Sequence, residues 1–273
     1  MVGATGKTGR AVTRALAARG VDVRAAVRSA DAQGTARAAG AKSVSVVDLE
    51  NGSGLAAAVE GVDAVYHLAP NVHPDEVGIA RRVASAARIA GVARFAFHSV
   101  LHPDDTSMPH HVRKGAAEAV VRGLHPDALV LRPAAYHHNL LDAARAGRIA
   151  VPYSLDAPFT NVDLHDAADA AALLITGPVR ETRTFDLAGP ERLTVRELAD
   201  VAARTLGREV VAERTSLDAW RAGPGARLPA SARADLEAMF AAYDRDGLVG
   251  DPTALAGLLP RPPRTWSAAL TAG

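Results

Sequence analysis

The chain has 273 residues, 48% of them hydrophobic, and a net charge of +1, enough for one large core or for one core with a small appended lobe. The near-neutral balance, with basic residues scattered along the chain, gives no electrostatic case for nucleic acid or an anionic membrane. The absence of cysteine excludes disulfides, thiolate metal sites and thiol nucleophiles.

The chain opens MVGATGKTGR, with glycine at positions 3, 6 and 9. Residues 10–19 carry apolar positions at helical spacing and stop at Gly20, a natural end for a helix. Residues 21–27 (VDVRAAV) read as a strand, DAQGTARAAG as a short helix, 42–49 (KSVSVVDL) as a strand, GLAAAVEG as a helix and 62–69 (VDAVYHLA) as a buried strand. A longer helix is expected over 75–90, then a strand over 92–100, an amphipathic helix over 110–123 and a strand over 127–133 ended by proline. Strand and helix thus alternate for about 130 residues, which specifies an α/β fold: a doubly wound parallel sheet of Rossmann type, helices on both faces, ligand at the carboxyl ends of the strands.

After Arg148 the rhythm loosens. IAVPY and FTNVDL are short strand-like pieces, 165–176 is a helix, 182–190 a strand running into a turn, 193–207 a helix with Thr194 and Glu197 at capping-box spacing, and REVVAERTS a last strand. Proline and glycine then break the tail, with room for two short helices. We expect a cofactor-binding domain over 1–150, and over 151–273 the remaining strands with a small C-terminal substrate lobe, not an independent domain, that covers the cofactor cleft. No apolar run approaches the roughly 20 residues of a membrane span and no charged-then-apolar leader opens the chain, so a cytoplasmic location is expected.

Gly3, Gly6 and Gly9 form G-x-x-G-x-x-G. Glycine lets the backbone turn tightly and approach a pyrophosphate, whose charge meets the N–H groups at the start of the helix. Thr5 and Thr8 add hydroxyl donors. Lysine is almost entirely replaced by arginine here; only Lys7, Lys42 and Lys114 remain, and Lys7 lies inside this turn. Arg28 follows the strand 21–27, with no acid before Asp31. Arginine there suits the 2′-phosphate of NADP(H), where NAD would call for an acid. Asp48 and Leu49 lie where an adenine would sit, with strand-end punctuation the other reading. Leu68 and Ala69 are expected to line the adjoining ribose and pyrophosphate. Only Met1 and Val2 precede the turn, so the central first strand looks truncated, and the expectation is that a few apolar residues precede Met1 in the cell; an intact mass matching 273 residues would defeat it.

The stretches GATGKTGRAV, VRAAVRS, SVVDLENGSGLAAAVEGVDAVYHLAP, AGVARFAFHSV, HHVRKGAAEAVVRGL, LVLRPAAYHHNLL, LAGPERLTVRELADVAARTLGREV and LLPRPPRTW resemble the NmrA-like branch of atypical short-chain dehydrogenase/reductases over nearly the whole chain. The resemblance implies a Rossmann fold with a small C-terminal substrate lobe and NADPH/NADP as cofactor. It also implies either a quinone or ketone reductase or a non-catalytic NADP(H)-binding sensor that regulates a partner protein. A tailoring enzyme of a biosynthetic pathway is a further alternative, and a homodimer an open one.

Conventional short-chain enzymes draw the proton from a tyrosine, helped by a lysine four residues on and a serine after the preceding strand. Here Ser99 and Lys114 match, but position 110 is histidine. His110 and Lys114, at i and i+4, share a helix face, so Lys114 is the candidate cofactor ligand and His110 the candidate acid, with water as the other proton source and a flank of the helix start after Pro109 as the other reading of His110 and His111; a nearby ammonium would lower the imidazole pKa. His111 faces elsewhere unless the pair is read one step out of register. In the family the loop after strand 127–133 passes the nicotinamide, so Ala134 and Ala135 are candidate contacts and Tyr136 a candidate donor or substrate wall. His67, His98, His137 and His138 are expected to line a substrate pocket. No H-E-x-x-H spacing occurs, so no metal is expected. Asp163, Asp166 and Asp169 are expected to be solvated or to cap their helix.

Overall fold

The structure, a computed structural model, describes residues 1–178 and 181–272. Its helices are α1 (Lys7–Ala18), α2 (Gln33–Ala38), α3 (Leu55–Val59), α4 (Glu76–Ile89), α5 (Pro109–Leu124), α6 (Leu141–Arg145), α7 (Leu164–Thr176), α8 (Val195–Leu206), α9 (Leu217–Ala222), α10 (Ala230–Asp246), α11 (Thr253–Leu258) and α12 (Trp266–Thr271). Its strands are β1 (Arg24–Val27), β2 (Ser43–Val46), β3 (Ala64–His67), β4 (Arg94–His98), β5 (Leu129–Pro133), β6 (Arg148–Val151), β7 (Thr184–Leu187) and β8 (Val211–Arg214). No helix among the described residues is long and apolar enough to cross a membrane.

The chain divides into two compact units that interleave in sequence. The first holds Met1–Pro103, Arg113–Arg132 and Ala167–Phe185; the second holds Asp104–Val112, Pro133–Asp166 and Asp186–Gly273. The reason is that a strand late in sequence joins an early sheet: the strand order runs β3-β4-β5-β7.

In the first unit β1 pairs with β2, β3 with β4, and β4 with β5, all parallel. Val2 bridges the two groups, pairing parallel with Ala26 of β1 and His67 of β3. Its N–H donates to Tyr66 O at 2.9 Å, and Ala26 N–H donates to Met1 O at 2.9 Å. The neighbour that β1 and β3 need is therefore a single residue, and a cavity of about 750 Å³ lies among the amino ends of the two strands, walled by Met1, Val23, Val59, Val62 and Val65. β3, β4 and β5 are buried on both faces, as central parallel strands require, whereas β2 is largely exposed. Phe95, Ala96 and Phe97 of β4 are all fully covered. α4 packs through Ile79, Ala80, Val83, Ala84 and Ala87, a stripe at helical spacing, into a core that also holds Val2, Leu55, Phe95 and Val121.

In the second unit β6 pairs parallel with β8. α8 begins with the capping box read from sequence: Thr194 Oγ1 accepts from Glu197 N, and Thr194 N donates to Glu197 Oε2 at 2.8 Å. FTNVDL forms isolated bridges, not a strand. The tail departs from the expected two short helices, since α10 runs for 17 residues. It is held by an aromatic cluster in which Tyr153 meets Phe159, Phe240 and Tyr243, and Trp220 meets Phe240. Trp266, fully buried, donates its indole N–H to Leu198 O at 2.8 Å.

Candidate active site

The glycine turn joins Val2 to α1. Gly3 has φ +75°, and a Cβ there would lie 2.4 Å from Leu68 O. A Cβ on Gly9 would lie 1.9 Å from Gly3 O. Both positions therefore exclude any side chain: the turn is pressed against the end of β3 on one side and against its own helix on the other. Gly6 differs. It is exposed, precedes the first residue of α1, and a Cβ there would meet only Gly3 O, at 3.8 Å. No side chain caps this helix start, so its first-turn N–H groups keep the partial positive charge that suits an anion. Lys7 is exposed on that first turn; Thr5 and Thr8 are half-buried.

Arg28 is exposed directly after β1. Asp48 uses both carboxylate oxygens in its own turn, accepting from Glu50 N at 2.8 Å and from Asn51 Nδ2 at 2.7 Å. That is the punctuation reading of this residue. Leu49 is half-buried and its carbonyl accepts from Arg82 Nε at 2.8 Å. Leu68 backs Gly3, and Ala69 is buried beside it. An uncapped helix start with an open face at Gly6, together with an arginine after β1, fits a phosphorylated dinucleotide.

At the carboxyl end of β4, Ser99 is buried and its hydroxyl donates to Glu118 Oε1 at 2.5 Å. Arg132 grips the same carboxylate through Nε at 2.9 Å and Nη2 at 2.6 Å. The hydroxyl expected to bind a carbonyl here fastens the end of β4 to α5. Lys114 is buried, donates to His98 O at 3.1 Å, lies 5.4 Å over the Phe97 ring and pairs with Glu76 at 2.5 Å.

Of the four histidines expected to line a pocket, His67, His98 and His137 are covered and His138 is half-buried. Burial first, then the Lys114 charge and His98, holds the His67 pKa at about 3. Burial and the same lysine do this to His98, also about 3, whose Nδ1 shares a 2.6 Å hydrogen bond with Tyr66. Burial takes His137 to about 4, against the opposing charge of Asp163. None of these three is a proton donor near neutral pH.

In the second unit His110 is buried in the first turn of α5, its ring edge-on to His111 at 5.9 Å. His111 is buried as well. Ala134 N donates to Leu187 O, Ala135 O accepts from Val162 N, and half-buried Tyr136 bridges Val162.

Asp163 and Asp166 are buried; of the two expected roles, solvation or capping, Asp163 takes the cap. Asp163 accepts from His165 N at 2.8 Å at the start of α7. Burial alone would raise its pKa, but hydrogen bonding to His165 and the charges of His138 and His165 bring it down to about 2. Asp166 takes Arg261 Nη2 at 2.7 Å, Arg264 N at 2.5 Å and the Arg264 guanidinium. Sequence reading missed Glu76, Glu118 and this arginine clasp. The only signal for the clasp was the arginine spacing in PRPPR. His138, Asp163 and His165 bring ligand atoms within 4.8 Å of one another. Arg264 stands 3.6 Å from Asp163, and His138 Nδ1 accepts from Leu164 N at 3.4 Å, so both groups are already engaged in fixing the helix start.

A parallel sheet whose glycine turn feeds a helix start defines a Rossmann-type dinucleotide-binding fold. The chain belongs to the NmrA-like family, whose model matches residues 1–258. It is 33% identical to the (4-alkanoyl-5-oxo-2,5-dihydrofuran-3-yl)methyl phosphate reductase of Streptomyces griseus, over 98% of this chain and 96% of that protein. It is 28% identical to the NAD(P)H azoreductase of Xenophilus azovorans, over 98% and 94%. Among solved structures, the NADPH-dependent quinone oxidoreductase of Escherichia coli, complexed with NADPH, superposes with a TM-score of 0.84 at 24% identity, over 99% of this chain and 97% of that one.

Proposed function

We propose that the protein is an NADPH-dependent oxidoreductase that reduces a small conjugated molecule, a quinone or a ketone. The observation that carries this is the turn from Gly3 to Gly9, where two glycines are required by packing and the third leaves the helix start open. The reductases among its relatives support the reaction class. Backbone amides at the start of α1 take the pyrophosphate, Thr5, Lys7 and Thr8 flank it, and Arg28 takes the 2′-phosphate. Leu68 and Ala69 wall that site. Lys114 holds the ribose next to the nicotinamide, Ala134 and Ala135 bound the ring, and Tyr136 bounds the substrate. When bound, NADPH supplies a hydride. His110 gives the proton to the new alkoxide. The reaction belongs in the cytoplasm, and the substrate is small, as for the azoreductase and quinone oxidoreductase relatives.

Two observations favour a second reading, an NADP(H) sensor without turnover that regulates a partner protein. Position 110 is histidine where tyrosine would serve, and the Ser99 hydroxyl is bound to Glu118. One assay separates the two. Protein, NADPH and a panel of quinones, aromatic ketones, azo dyes and furanone phosphates are mixed, and the nicotinamide absorbance is followed. The reductase reading expects turnover of at least one member. It also expects a fall of about 10²-fold or more in His110→Phe. Binding of NADPH without turnover across the panel favours the sensor.

A further inference from the structure

Glu76 is a carboxylate where burial is most costly. It opens α4, is completely covered, and faces the ammonium of Lys114, itself buried, at 2.5 Å. The same ammonium donates to the His98 carbonyl at 3.1 Å, lies 5.4 Å over the Phe97 ring, and acts on the imidazoles of His67 and His98, both neutral near pH 7. Among the described residues neither ring nitrogen of His67 has a hydrogen-bond partner, so this pocket is not optimised for stability. A buried ion pair adds little over a well-packed apolar pair, which turns attention to what a fixed ammonium does here. Phe97, His98 and His67 close β4 and β3, the ends at which the glycine turn meets Leu68. The pair thus stands at the cofactor end of the sheet.

We propose that Glu76 is a positioning residue: its carboxylate holds the Lys114 ammonium at the carboxyl ends of β3 and β4, in the place from which Lys114 contacts NADPH. This rests on the reading of Lys114 as a cofactor ligand. Nothing in the sequence around Glu76 marks it; only burial and the distance to Lys114 do.

A double-mutant cycle on NADPH affinity, read by nicotinamide fluorescence, tests it. Lys114→Met and Glu76→Gln are each expected to weaken NADPH binding about tenfold, and Lys114→Met combined with Glu76→Gln to bind no more weakly than Lys114→Met alone. A merely structural role would repeat the Glu76→Gln loss on the Lys114→Met background, and that result overturns the proposal, as does Glu76→Gln binding NADPH like the parent. Leaving one buried charge alone is strongly destabilising, so Glu76→Gln risks misfolding. Glu76→Asp then replaces it in the cycle: its carboxylate, one methylene shorter, is expected to weaken binding a few-fold on the parent and not at all on Lys114→Met. Equal effects on both backgrounds, or none on either, overturn the proposal. Weakened binding in Lys114→Met with none in the Glu76 variants rejects Glu76 alone. Unchanged binding in Lys114→Met rejects the reading of Lys114 beneath it.

Discussion

Single carboxylates organise much of this molecule. Asp166 is fully buried and gathers Arg261, Arg264 and the backbone N–H of Arg264, pinning the proline-rich stretch before α12 to the start of α7. Asp166→Asn removes the charge and keeps the size. We expect a loss of about 2–3 kcal/mol in urea unfolding, below the range for a fully buried pair because both guanidiniums remain about a third exposed and screened. An unchanged midpoint would show that the clasp is incidental. The glycine turn was legible in the sequence because its geometry admits no other residue: Gly3 and Gly9 leave no room for a Cβ. Glu76, Glu118 and Asp166 were not legible. A carboxylate looks the same in sequence whether it is solvated or buried against an arginine or lysine brought from 14 to 98 positions away, and only the fold supplies the partner.

Periodicity decided how well each element was read. The βα alternation was legible through β5 because buried parallel strands and apolar-striped helices have different repeats. The strands came out shorter than their apolar runs, β3 covering Ala64–His67 of the expected 62–69, since strand pairing stops where the glycine turn and loops take over the hydrogen bonds. The capping box of α8 was legible because it is local, three residues apart. α10 was not, because it packs through residues distant in sequence. Phe240 meets Tyr153 at 5.9 Å and Trp220 at 4.9 Å, neither of which announces itself as a neighbour. Phe240→Ala removes the ring shared by these contacts. A cost of about 3–5 kcal/mol is expected, measured as a lower urea midpoint with an unchanged slope. A loss below about 1 kcal/mol would mean the cluster does not hold α10.

Taken whole, the protein stores neutral histidines in its interior, and its acid stability follows. His67 and His98 titrate at about 3 and His137 at about 4 in the folded chain, against 6.5 as the ordinary value. Between those limits the unfolded state binds more protons than the folded one, so stability rises with pH up to about 6.5 and is lost as pH falls towards 3. A single histidine contributes a slope of at most about 1.4 kcal/mol per pH unit within its window, and His67 and His98, which share the Lys114 charge, do not titrate independently. Urea midpoints that stay level from pH 7 to pH 4 would contradict this burial. The claim on which the functional account turns is that the helix start after Gly6 and the guanidinium of Arg28 bind a phosphorylated nicotinamide dinucleotide. Isothermal titration calorimetry tests it most directly. NADPH is expected to bind one per chain and at least about tenfold more tightly than NADH, a preference that Arg28→Ala removes. No heat of binding from either NADPH or NADH would contradict the account.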